Sequence, residues 1–149
     1  IKSRCIEFKF FFNLSKKKKI LSLIIQDYIN NLDLSNIDEY FYFETPGNIL
    51  KYLLILKEEN FGLLNDKIAC IFYLIDKYKQ INDPQLFTFV SLLIELFYNE
   101  LSLKNNNNLN LYSLNKFKLL KQIDDAKRFN LDKKNLLTSL RGALENESK

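Results

Sequence analysis

The sequence predicts a mainly α-helical protein that opens with a single β-strand. Three observations point there. The chain has 149 residues but only 3 Gly and 2 Pro, too few for the many tight turns of a sheet-rich fold. Apolar residues recur at helical spacing through most of its length. Strict alternation occurs in the opening IKSRCIEFKF, where Ile6, Phe8 and Phe10 are interleaved with Glu7 and Lys9.

The composition narrows the chemistry. Hydrophobic residues make up 47% and charged residues 27%, which suits a globular chain and not a disordered one. Histidine is absent, so the chain by itself cannot supply a Ser/His/Asp or Cys/His site. Zinc sites built from Cys and His are excluded for the same reason. Cys5 and Cys70 are the only cysteines. Two cysteines make no disulfide framework, and both are expected to be reduced. The lack of Met leads to the expectation that the chain is a trimmed piece of a longer protein.

No segment resembles a signal peptide. The longest apolar stretch, LFTFVSLLIELF, contains Glu95 and is shorter than the roughly 18 residues of a membrane span. A soluble, cytoplasmic protein is expected. The net charge of +4 permits contact with nucleic acid without announcing it. Lys, Asn and Ile are abundant throughout, in the manner of an AT-rich coding bias, so a Lys or Asn run carries less information than usual.

A lone strand needs a partner for its backbone groups, so the first dozen residues read as the end of a sheet whose other strands lie upstream. From Ser15 the period becomes helical. Ser15 is expected to cap a helix with Lys16 to Lys19 in its first turn, followed by Leu21, Ile24, Ile25, Tyr28 and Leu32 on one side. The four lysines oppose the helix dipole; they read as a solvated face, or alternatively as a contact for a phosphate backbone. Ser35-Asn36-Ile37-Asp38 fits a capping box before a short helix. Thr45-Pro46 supplies a cap followed by Pro at the first helical position, and Phe61-Gly62 closes that helix.

Asn65 and Asp66 open the next helix, with Ile68, Ile71, Phe72, Ile75 and Tyr78 on one side. Asp83-Pro84 starts another. It is apolar nearly all round, through Leu86, Phe87, Phe89, Val90, Leu93, Ile94 and Phe97, and such a helix belongs in a bundle or an interface. KNNNNLN reads as a polar loop. Ser113 is expected to cap a helix to about Phe129, and Asp132 to cap the last, through Leu136, Leu137, Leu140 and Leu144. Three regions follow: a strand tail over 1–12, a three-helix unit over 13–62 and a larger helical unit over 63–149.

Three stretches, IKSRC before a strand, ETPGNILKYL and AKRFNLDKKNLLTSL, occur in that order. Together they resemble the delta-prime family of bacterial DNA polymerase III clamp-loader subunits. The resemblance implies the C-terminal strand of an AAA+ core over 1–12, a three-helix lid over 13–62 and a helical collar for oligomerisation over 63–149. It implies that Arg4 is an arginine finger acting in trans on ATP and magnesium held by a neighbouring subunit, with no cofactor bound by this chain. A guanidinium suits that role, because it is always charged and presents planar paired donors to phosphate oxygens. The residue-level alternative is a loop arginine paired with a carboxylate such as Glu7. Ser3 and Cys5 support the motif, the first as a turn residue and the second as a small packing residue with no base beside it.

Thr45, Pro46 and Gly47 match the family's lid motif. The motor subunits, gamma and tau, also carry an arginine at the start of that lid helix. Here the place reads Thr45-Pro46-Gly47-Asn48, with Lys51 a turn further on, which favours delta prime. The implied partners are the gamma, tau and delta subunits and, through the complex, the sliding clamp and primed DNA. Other readings are a gamma or tau ATPase, a stand-alone helical interaction module, and a non-specific nucleic-acid binder. The last is the weakest, since the lysine run lacks interleaved aromatics.

Overall fold

Six α-helices and a 3-10 turn dominate the residues that the computed structural model describes, which are 13–29, 44–57 and 66–147. No strand occurs among these described residues. The opening strand at 1–12 and the short helix after Ser35 lie outside them. The chain divides into two compact units, Ile1–Leu63 and Leu64–Lys149, and each is described by itself.

In the first unit, α1 spans Leu14–Tyr28 and α2 spans Pro46–Lys57. The start of α1 differs from expectation. Asn13, not Ser15, is the cap: its backbone is extended and its Oδ1 accepts the Lys16 amide at 2.9 Å. An Asn side chain reaches the third amide as well as a Ser does, and the helix therefore begins ahead of Ser15. Leu21 and Ile25 are buried, but Tyr28 is 68% exposed and Ile29 takes its place in the core. Ile29 is the C-cap residue with extended backbone; leaving the helix turns its side chain inward. These residues face Ile49, Tyr52, Leu53 and Leu56, the buried side of α2.

The second unit is built from α3 (Lys67–Ile81), α4 (Pro84–Lys104), α5 (Leu109–Arg128) and α6 (Lys133–Glu147). Asp66 caps α3 by accepting the Ala69 amide at 2.9 Å. Asn82 then ends α3 in the left-handed region at φ 53°, a conformation that Asn tolerates better than most residues. The next residue, Asp83, caps α4 by accepting the Gln85 amide at 2.9 Å, with Pro84 at the first turn. Two residues thus reverse the chain.

α4 is the centre of this unit. Leu86, Phe87, Phe89, Val90, Leu93, Ile94, Leu96, Phe97 and Tyr98 are all buried. α3 packs on one side of it and α5 on another, while α6 lies against both α3 and α5. At 21 residues, α4 is long and apolar enough by length and composition to cross a membrane, so it exceeds the span expected from its central stretch alone. Here its apolar side chains are packed by neighbouring helices.

The Asn run is not a plain loop. Asn106–Asn108 form a 3-10 turn that leads straight into α5 at Leu109. Ser113 is therefore inside α5 and not its cap. Sequence signals place a helix start at the nearest good capping residue, but here the Asn108 amide donates to the Asn105 oxygen at 3.4 Å within the 3-10 turn and the chain runs on into α5 without a side-chain cap. α5 ends with Asn130 at φ 51° and the Leu131 amide donating to the Ala126 oxygen at 3.1 Å, the bond pattern of a left-handed C-terminal cap. Asp132 then caps α6, accepting the Lys134 and Asn135 amides at 3.0 and 3.2 Å.

Candidate functional site

Ser3, Arg4 and Cys5 lie outside the described residues, so the arginine and its two flanking residues have no geometry to set beside the sequence. The lid motif does. Thr45 Oγ1 accepts the Asn48 amide at 3.3 Å and Pro46 opens α2. Asn48 Nδ2 donates to Glu44 Oε2 at 3.0 Å, and Lys17 Nζ from α1 reaches the Glu44 backbone oxygen at 3.5 Å. The start of α2 is thus tied to α1. Tyr52, one turn into α2, has its phenol pushed up to about 12, first by burial and then by the Glu44 charge. Lys51 is exposed on the outer side of the same turn.

Gly47 has no positive φ, and a methyl group added at its Cα would meet nothing within 4 Å. Neither backbone strain nor packing within the chain requires glycine there.

The second unit has two ion clusters. Glu100 on α4 accepts from Lys67 of α3 at 2.6 Å and also from Lys104 one turn along. The bonds from Lys104 and Lys67 hold its carboxyl below the usual range, against a smaller opposing effect of burial. Arg141 on α6 donates through one nitrogen to both oxygens of Asp76 on α3, at 3.0 and 2.9 Å. It also bonds Glu145 at 3.1 Å and stacks 4.8 Å from the Phe72 ring centre. Both clusters join helices to one another and resemble fasteners more than reactive sites.

Cys70 is fully buried, and burial pushes its thiol up to about 11. A thiol so placed is a packing group, since the thiolate is the reactive form. No group of three or more Cys, Asp or Glu that could hold a metal ion occurs among the described residues. A cleft between α4, α5 and α6 is lined by Tyr98, Asn115, Lys118, Gln122 and Ser139. It contains no carboxylate or thiol to act as base or nucleophile.

The feature that sequence reasoning missed is on α5. Its core side carries Leu119, Ile123 and Ala126. Its other side carries Leu111, Leu114 and Phe117, which are 53%, 65% and 66% exposed. The spacing of three was legible in the sequence. The apolar residues on both sides of α5 blur its periodicity, so only the packing separates core from surface.

Replacing Gly47 by Ala is expected to stabilise the first unit by about 0.4–1 kcal/mol, because the unfolded chain loses freedom and the folded chain loses nothing. A urea titration that shows destabilisation would mean that the glycine is required locally. A second expectation concerns pH. The Glu100 carboxyl is lowered from its ordinary value of 4.5. The stability it contributes is therefore present above that value and is lost as pH falls below it towards the lowered one. Denaturation midpoints between pH 6 and pH 3 should fall less steeply in Glu100→Gln than in the wild type; parallel curves would remove Glu100 as a source of the pH dependence.

Comparison with protein-family models, with curated proteins and with solved structures finds no match for this chain.

Proposed function

We propose that the chain is a non-motor subunit of the DNA polymerase III clamp loader, of the delta-prime type. In this function it assembles through a helical collar and offers Arg4 to ATP on a neighbouring subunit, while the ring places a sliding clamp on primed DNA. The observation that carries the proposal is the order of three stretches in one chain: Ser3-Arg4-Cys5, Thr45-Pro46-Gly47 and the NLDKK run at 130–134. Each is weak alone. The opening strand would be the last of an AAA+ core, residues 13–62 the lid and residues 63–149 the collar.

Two structural features support this function. The Thr45-Pro46-Gly47 stretch stands at a helix start, where a lid motif would need to be. The second unit is a four-helix arrangement with apolar side chains on an outer face, as a subunit that assembles through helices requires. No arginine occupies 45–48 and Lys51 lies a turn into α2, which favours delta prime over gamma or tau.

The chemistry assigned to Arg4 is charge stabilisation. A guanidinium beside the γ-phosphate offsets the negative charge that develops on the transferring phosphoryl group, and it needs no proton transfer to do so. A stand-alone helical interaction module is the second reading, favoured by the exposed side of α5.

The test uses the complete chain, with any residues that precede Ile1, reconstituted with gamma or tau and delta subunits. Arg4→Ala should lower DNA-stimulated ATP hydrolysis by about a thousandfold at the site it serves, while the complex still assembles by gel filtration. Unchanged hydrolysis in an assembled complex would remove the finger. Failure to co-assemble in the wild type would remove the clamp-loader function altogether.

A further inference from the structure

The chain reversal after α3 and the reversal after α5 meet in one open cleft of the second unit. Its volume is 270 Å³, and its lining includes Tyr78, Asn82, Asn130, Asp132, Lys133 and Lys134. Tyr78 is 2% exposed and packs against the Phe87 ring at 5.8 Å. Among the described residues its hydroxyl makes no hydrogen bond, and no fully buried side-chain oxygen is left without a partner. The small exposed part of Tyr78 therefore includes its hydroxyl, which opens onto the cleft. Burial, and then the Asp132 charge, push the phenol up, so it keeps its proton and can donate.

Asn82 and Asn130 hold φ at 53° and 51°. Glycine is the usual residue at such helix ends; asparagine tolerates the same backbone and adds a carboxamide. Among the described residues neither carboxamide is hydrogen-bonded, and Lys133 and Lys134 are in no ion pair. Asp132, the carboxylate in the lining, is already occupied. Its Oδ1 accepts the Lys134 and Asn135 amides, and its Oδ2 accepts Asn135 Nδ2 at 2.7 Å.

We propose that this cleft binds the phosphoryl group of a small phosphate monoester. The unused donors are the Tyr78 hydroxyl, two carboxamides and two ammonium groups. An ammonium group can only donate, so the ligand must be rich in acceptors. A phosphoryl group brings three strong acceptor oxygens and nearly two negative charges at neutral pH. The first turn of α6 adds the positive end of its dipole. A cation is opposed by both lysines, and a neutral polyol leaves them without a countercharge. The cleft is smaller than the roughly 300–1,000 Å³ of drug-sized pockets, which limits the ligand to a small body beyond its phosphoryl group. Bulk charge does not do the selecting. The helix ends here carry Lys127, Arg128, Lys133 and Lys134 against Asp83, Asp124, Asp125 and Asp132, and Lys79 is paired with Asp76. A nucleic acid or an anionic membrane gains little from so even a balance, whereas one phosphoryl group meets the donors at hydrogen-bond range. The site uses neither Arg4 nor the outer face of α5, so it goes beyond the clamp-loader function and stands or falls without it.

The test titrates the isotope-labelled full chain with inorganic phosphate, glycerol 3-phosphate and glycerol at constant ionic strength, and follows the amide chemical shifts. Saturable shifts at Asn82 and from Asn130 to Lys134 are expected with both phosphates and none with glycerol. Tyr78→Phe should weaken glycerol 3-phosphate binding by about tenfold or more with an unchanged urea midpoint, because the hydroxyl bonds nothing in the free chain. Asn130→Gly should weaken it in the same direction, and glycine suits the left-handed backbone there. If Tyr78→Phe lowers the urea midpoint, Asn130→Gly carries the test. Shifts that do not saturate, that centre on Lys16 to Lys19, that glycerol reproduces, or that ignore these substitutions overturn the proposal. So does a thymidine oligonucleotide or a phosphatidylglycerol vesicle that moves the same amides at a lower phosphate concentration than glycerol 3-phosphate requires.

Discussion

The second unit depends on one constraint: α4 cannot stand in water. Its nine buried apolar side chains cover somewhat more than half of the helix circumference, with Gln85, Thr88, Ser91, Glu95 and Asn99 on the remainder, and so wide an apolar face must be covered by more than one neighbour. The covering is supplied by α3, reached through a two-residue reversal at Asn82 and Asp83, and by α5, reached through the 3-10 turn at Asn106–Asn108. α6 closes the arrangement against α3 and α5. Burying a single Leu or Phe side chain contributes about 1.5–3 kcal/mol, so the contacts along α4 outweigh each surface ion pair, which is worth about 0–1 kcal/mol.

That ranking assigns the polar clusters their place. Lys67, Glu100 and Lys104 lie where the start of α3 meets the later turns of α4. Arg141 and Asp76 fasten α6 to α3 at half-exposed positions. They fix which helix faces which neighbour but do not supply most of the cohesion. The two lysines whose ammonium groups lie over the Phe87 ring, Lys127 and Lys133 at 5.5 and 5.9 Å, similarly cover the end of the core with long aliphatic stems. Once α4 is covered, α5 has satisfied the core with one side only. The other side keeps Leu111, Leu114 and Phe117 in solvent, a cost to solubility that an assembling surface would explain.

Much of this fold is legible in the sequence, for reasons that can be named. The burial of α4 follows from seven apolar residues at 86, 87, 89, 90, 93, 94 and 97. The caps at Thr45, Asp66, Asp83 and Asp132 follow from short acceptors placed just before apolar periodicity. The misplaced starts have a common cause. Asn13 and the run 105–108 are residues with poor helix propensity that nevertheless serve at helix entrances. In a chain so rich in Asn, composition hides that use. Tyr28 and Ile29 exchange places because the helix ends between them, and the helical period no longer applies. The exposed ridge of α5 was hidden for a different reason: Leu111, Leu114 and Phe117 look like core residues until Leu119, Ile123 and Ala126 are seen to fill that role. The implied site at Ser3, Arg4 and Cys5 rests on the sequence alone.

Native-state hydrogen exchange on the full chain in aqueous buffer tests the central claim about α4 most directly. If α4 is the covered core of a water-folded unit, the amides of residues 86–98 should exchange only through global unfolding. Their opening free energy should then equal the value from urea denaturation, and the outer-face amides of α5 should open more readily. α4 amides that exchange faster than those of α3 and α5, or that become protected only when detergent or lipid is added, would contradict it.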